Sequence, residues 1–230
     1  MNINFEMLEE SIPLTNLTSL VIKSKSIFSK ITEDIYDYNE LSYLRIFDNK
    51  YNQLKQDELI IITDILGYDI NSTSTLKMIY ADMEAQINES PEVKSKFEEL
   101  LSNVISLINK EIIDFDIDLD INELTLSGIF KISGMKIATE DNTIFERVLD
   151  IFRVFKYLKK KKLIIFLNLG TYLSKEQLKT LEEDSILENI NVLLIDNYKF
   201  DGLSKQLVLD EDFELFIETD EFRKKYTEAE

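Results

Sequence analysis

Asp114, Asp116, Asp118 and Asp120 alternate with apolar residues and are followed by Glu123. Carboxylate oxygens so close together are hard donors of the kind calcium takes. An EF-hand loop is excluded: counting from Asp116, Ile121 stands at the sixth place, where that loop needs glycine, and Ser127 at the twelfth, where it needs glutamate. From the residue pattern alone the plainer reading, an extended segment with one solvated acidic face, is the stronger. A second constellation is cationic. Between Lys131 and Lys162 nine basic residues (Lys131, Lys136, Arg147, Arg153, Lys156 and Lys159 to Lys162) face four acids (Glu140, Asp141, Glu146, Asp150), a local charge of +5. Such segregation can line a phosphate-binding surface, although a lysine run after a helix is more often a solvated C-terminal cap.

Two further patterns invite catalysis and carry it poorly. The turn Lys23 to Lys30 has the place of a phosphate-binding loop between a strand and a helix but contains no glycine, so bulky side chains keep backbone amides from wrapping a phosphate. Val192 to Asp196 spells four aliphatics and an acid, as a metal-holding strand end does, yet chance produces that easily. Glu92-Val93-Lys94 has the acid-x-lysine spelling of a metal nuclease, but it falls where a helix begins and acids are ordinary there.

Composition narrows the field further. The 230 residues hold 26 Lys+Arg against 44 Asp+Glu, a net charge of −18, with no Cys, His or Trp. Disulfides, zinc fingers, thiol nucleophiles and Ser-His-Asp triads are therefore excluded, and any neutral-pH general base has to be a perturbed carboxylate or lysine. The charge also argues against a polyanionic partner unless it is locally segregated. The +5 stretch leaves −23 on the rest of the chain, so it is segregated. The N-terminal residues lack a basic, apolar leader, and the apolar runs at Leu59–Ile62 and Leu163–Leu169 are far below membrane-spanning length. A cytoplasmic protein without membrane contact is expected.

The elements that must position these residues follow from periodicity. Strands are predicted at 3–8, 17–23, 43–47, 59–62, 163–167, 192–195, 206–209 and 213–217. Ile27, Phe28, Ile31, Ile35 and Tyr38 mark a first amphipathic helix, and Ile144, Val148, Ile151, Phe152 and Phe155 a later one ending at the lysine run. Ser174 with Gln177 opens another as a capping box. Between them, Leu76 to Ile87 and, after Ser90-Pro91-Glu92, Phe97 to Ile108 predict an antiparallel helix pair. The expected architecture is α/β, with residues 1–70 and 143–230 forming one head and residues 71–142 a helical insertion that carries the acidic segment.

Longer blocks carry a resemblance. Thr63-Asp64-Ile65-Leu66-Gly67-Tyr68-Asp69-Ile70-Asn71-Ser72, Leu76-Lys77-Met78-Ile79-Tyr80, Pro91-Glu92-Val93-Lys94-Ser95, Gly134-Met135-Lys136-Ile137, Thr143-Ile144-Phe145-Glu146, Lys160 to Phe166 and Leu209-Asp210-Glu211-Asp212-Phe213 are similar, in order and almost end to end, to the type II-A CRISPR adaptation proteins of the Csn subtype-two family. The resemblance implies a head akin to a degenerate P-loop ATPase with a helical leg, and a homotetrameric ring that encircles double-stranded DNA by its ends. It also implies calcium as the stabilising ion, no nucleotide, no catalysis, and a role in spacer acquisition beside the CRISPR integrase and effector proteins. Lys131, Lys136 and Lys160, Lys161 and Lys162 match positions that are basic in relatives and are expected, with Lys156, to contact phosphate. Asp116, Asp118 and Asp120 match acidic positions and, with Glu123, are the expected calcium ligands. The chain departs from the family at Asn122, Gly128, Ala138 and Asn142, where relatives carry acids. The rival expectation is an acidic protein-interaction scaffold with incidental DNA affinity.

Overall fold

The computed structural model describes residues 1–5, 8, 11–113, 117, 119–122, 124–139 and 143–219. The chain separates into two compact units, Met1–Tyr68 with Thr139–Glu230, and Asp69–Ala138.

The larger unit contains β1 (Asn2–Phe5), β2 (Ile12–Pro13), β3 (Leu17–Ile22), α1 (Lys25–Tyr36), β4 (Leu44–Phe47) and β5 (Leu59–Ile62). The smaller unit holds α2 (Thr73–Asn88), α3 (Pro91–Ile112) and α4 (Leu126–Ile132). The chain then adds α5 (Ile144–Phe155), β6 (Leu163–Leu167), α6 (Lys175–Leu187), β7 (Val192–Asp196), β8 (Lys205–Leu209) and β9 (Leu215–Thr219) to the larger unit. β1 pairs antiparallel with the two-residue β2 and with β4 in a small sheet; of the rest of the expected strand, residues 6 and 7 lie outside the described residues and Leu8 is not in a strand.

The main sheet runs β5-β6-β7-β3-β8-β9, parallel from β5 to β8 with β9 antiparallel at one edge. Leu59-Ile60-Ile61-Ile62 and Leu163 to Leu167 are continuous apolar runs because both faces of a parallel sheet are covered. On one face Leu20, Ile22, Ile165, Leu193 and Leu207 join Ile27, Ile31 and Ile35 of α1 and Ile3, Leu44 and Ile46 of the small sheet in one cluster. Residues alternating with these, including Ile164, Phe166, Val192 and Leu194, are buried on the other face, as are Val148, Ile151 and Phe152 of α5 and Leu178 and Leu181 of α6. Burying some 1.5–3 kcal/mol of apolar side chain at each such position is what holds the strands in this register.

In the smaller unit α2 packs against both α3 and α4. The Tyr80 and Phe130 rings stand 5.8 Å apart, and the Tyr80 hydroxyl donates to the Met135 carbonyl at 2.6 Å. Asn71 closes the unit where its ends meet: its side chain accepts from the Ile137 N–H at 2.8 Å and donates to the Ile137 carbonyl at 3.1 Å. Two expectations need revision. Ser90 precedes α3 but makes no side-chain capping bond, leaving proline at the first turn as the start signal. No residue of α3 is fully buried, although its apolar spacing predicted a packed face. The described part of the acidic segment, Ile117 and Leu119 to Asn122, contains no strand, and Asp114 and Asp116 lie outside the described residues.

Candidate nucleic-acid interface

The six lysines expected at a phosphate surface divide between the two units. Lys131 lies in the last turn of α4 and Lys136 follows in the next loop; both are exposed, and neither ammonium is in an ion pair among the described residues. In the larger unit, Lys156 caps the C-terminal end of α5, where a cation suits the helix dipole, and pairs with Glu188 beyond α6 at 3.1 Å.

The run Lys160 to Lys162 precedes β6 and meets the residues that precede β5. Because β5 and β6 are parallel neighbours, with Leu59 opposite Leu163, their N-terminal approaches lie side by side. Lys160 pairs with Asp57, Lys162 pairs with Glu58 at 2.5 Å, and the Lys162 N–H donates to the Glu58 carbonyl at 2.7 Å. Lys161 points inward and donates to the Leu59 carbonyl at 2.6 Å; desolvation by burial holds its pKa below the usual lysine value. Asp57 is held below the ordinary carboxylate range chiefly by the hydrogen bond from Lys160. Glu58 is lowered by the hydrogen bond from Lys162 and then by the Lys55 N–H, which donates to it at 2.8 Å. Sequence reasoning missed Asp57 and Glu58. The available signal was the acid pair directly ahead of one buried strand and the lysine run directly ahead of another.

Of the calcium candidates, Asp116, Asp118 and Glu123 lie outside the described residues. Asp120 is exposed and its carboxylate accepts from the Ile121 N–H at 2.9 Å. Among the described residues no three acids converge on one point.

The opposite edge of the sheet, beyond the C-terminal ends of its parallel strands, is where open α/β sheets bind ligands. Here, after β6, a side chain occupies it. The Phe200 ring lies so close over Gly170 that a Cβ there would come within 2.2 Å of it. Asp196, at the end of β7, is fully buried. Ser24 begins α1 without a side-chain capping bond, its hydroxyl turned to that of Ser26 at 3.0 Å. Glu92 and Lys94 are both exposed on the first turn of α3, and Lys94 pairs loosely with Glu98 at 3.8 Å, so the acid-x-lysine spelling is helix surface. No helix among the described residues is long and apolar enough to cross a membrane.

Comparison with known proteins adds a family. The model described as CRISPR-associated protein (Cas_Csn2) matches residues 35–213. A CRISPR-associated protein Csn2 of Enterococcus faecalis is 41% identical over 218 residues, covering 95% of this chain and 99% of the relative. Its namesake from Streptococcus agalactiae is 40% identical over 216 residues, covering 94% and 97%. The crystal structure of Stu0660 of Streptococcus thermophilus superposes with a TM-score of 0.60 at 14% identity, covering 98% of this chain and 78% of that one, a likeness of fold.

Proposed function

Because this chain belongs to the Csn2 family of CRISPR-associated proteins, we propose that it is a non-catalytic clamp that holds duplex DNA by its ends, without reading bases, during spacer acquisition in the cytoplasm. One observation carries the proposal: a chain of net charge −18 gathers a +5 stretch whose Lys131, Lys136, Lys156 and Lys160 are exposed at its surface. Lysines contact phosphates as point charges, and phosphate contacts carry no base information. The ring reading is supported by α3, whose Leu100, Val104, Leu107 and Ile108 form an apolar stripe left open to solvent, a face that a second copy of the chain covers. The head is read as a degenerate P-loop-like scaffold without nucleotide, on the strength of the glycine-free turn from Lys23 to Lys30 and of Phe200 seated on Gly170. The unit Asp69–Ala138 is then the leg.

Calcium belongs to the proposal by donor chemistry alone. Asp116, Asp118, Asp120 and Glu123 supply four hard carboxylates within one short stretch, and a divalent cation offsets their mutual repulsion when bound. The acidic remainder is the surface offered to the integrase and effector proteins.

A closed ring threads a linear duplex but not a covalently closed circle. Gel shifts on linear and circular forms of one sequence are expected to show binding to the linear form only, weakening as salt rises. Equal binding to both forms, or insensitivity to salt, would overturn the clamp. The engagement of Lys160 and Lys162 by acids favours a second reading, an acidic scaffold with incidental DNA affinity. Replacing Lys131, Lys136 and Lys156 by Glu separates the two, since the clamp loses DNA and the scaffold keeps its protein partners.

A further inference from the structure

The lysine run is already occupied. Lys160 and Asp57 are 103 positions apart in sequence yet hydrogen-bonded, with side chains 62% and 55% exposed. Lys162 and Glu58 are 2.5 Å apart, with exposures of 42% and 18%. These contacts are much closer than the exposed helical pairs Lys94–Glu98 and Lys179–Glu183, both at 3.8 Å. Glu58 is held for its lysine by a second bond, from the Lys55 N–H at 2.8 Å, and Lys162 is held by its own N–H on the Glu58 carbonyl. Lys161 turns away and serves the Leu59 carbonyl instead. An ammonium has three donors and no acceptor, and a carboxylate takes up the same donors that a phosphate oxygen needs.

We infer that Asp57 and Glu58 are internal phosphate surrogates: they sit on Lys160 and Lys162 in the free protein, and duplex DNA docks on this run only by exchanging those carboxylates for its own phosphates. The inference rests on the DNA reading above. Two consequences follow from the exchange. Intrinsic affinity is lowered by the strength of the two internal pairs, so isolated phosphate groups compete poorly and a continuous phosphate array is favoured. The response to salt is also blunted, because added ions loosen the internal pairs together with the DNA contacts. Lys161 has no carboxylate to exchange, since its ammonium donates to the Leu59 carbonyl.

The test compares three full-length proteins on one linear duplex across a range of salt: the parent, D57N/E58Q, and E98Q/E183Q, which loses the same charge and two lysine pairs elsewhere. The amides are isosteric with the acids they replace, and the side-chain carbonyl introduced by E58Q still accepts from the Lys55 N–H. Thermal unfolding confirms that each variant is folded, and D57N alone replaces the double variant if that one is not. The expected result is a dissociation constant about three- to tenfold lower for D57N/E58Q at low salt, from exposed pairs of ordinary strength. A steeper salt dependence is expected with it, so that the gap to the parent closes as salt rises. If the parent binds and D57N/E58Q gains no more than E98Q/E183Q, the surrogate inference is overturned and the DNA reading stands. If neither the parent nor D57N/E58Q binds, both fall. Binding by D57N/E58Q alone supports the surrogate in its strongest form.

Discussion

Asp196 ends β7 with no exposed surface and, among the described residues, no hydrogen bond of ordinary geometry to either carboxyl oxygen. Burial pushes its pKa up to about 7, and the Gly170 N–H opposes the rise. The folded chain therefore keeps this proton where the unfolded chain gives it up. Below the ordinary carboxyl pKa, near 4, both states hold it and stability is unaffected. Between there and pH 7 the folded state binds the extra proton, so stability falls as pH rises, and above pH 7 the loss is complete. D196N is neutral at every pH and is expected to be more stable than the parent at pH 8, by up to about 4 kcal/mol, with a smaller difference at pH 5. Urea unfolding at the two pH values measures it, and an unchanged difference between parent and variant would sink this account. The sequence marked Asp196 as an acid at the end of an aliphatic run, a pattern shared by metal-holding residues and buried neutral acids. Desolvation separates the two, and it depends on what covers the strand end.

Among the elements, α3 is the one whose surroundings the residue pattern misjudged. Its apolar sector is wider than one partner can cover. Phe97, Leu101 and Ile105 are half-buried, while Leu100 and Leu107 remain 55% and 67% exposed. Periodicity reports that a helix has an apolar face and is silent on what meets it. A second copy of the chain is the occupant proposed above, so L100E/V104E is expected to shift native mass spectra toward smaller species while leaving the far-UV circular dichroism of the chain close to the parent's, because neither side chain is buried within the chain. Retention of the parent's oligomer by this variant would show that α3 takes no part in assembly. Several other elements were legible within a residue or two for a local reason. α5 begins with Thr143 and Glu146 in a reciprocal capping box and α6 with Ser174 and Gln177 in another. Strands β6 and β7 announce themselves as five-residue runs buried throughout. The brief β2 escaped, since two residues set no period.

At the scale of the molecule, the net charge of −18 acts as self-repulsion that any assembly has to overcome. If calcium is held by the acidic stretch, removing it restores that repulsion between copies. Native mass spectra with a chelator are then expected to show less tetramer than spectra with calcium added, and an identical distribution would remove calcium from the assembly. The same arithmetic separates what was legible from what was not. The sequence by itself determined the lack of thiol and imidazole chemistry, the division of charge between a basic stretch and an acidic remainder, and the type of nearly every helix and strand, because each depends only on side-chain identity or local spacing. Only the tertiary structure decided that Asp57 and Glu58 meet Lys160 and Lys162, that Lys161 turns inward, that Asp196 is dry, and that one stripe of α3 stays open. Each of these depends on which strands become neighbours and which faces are covered. Those are outcomes of tertiary contacts, such as that of Lys160 with Asp57 across 103 positions, and no local period encodes them.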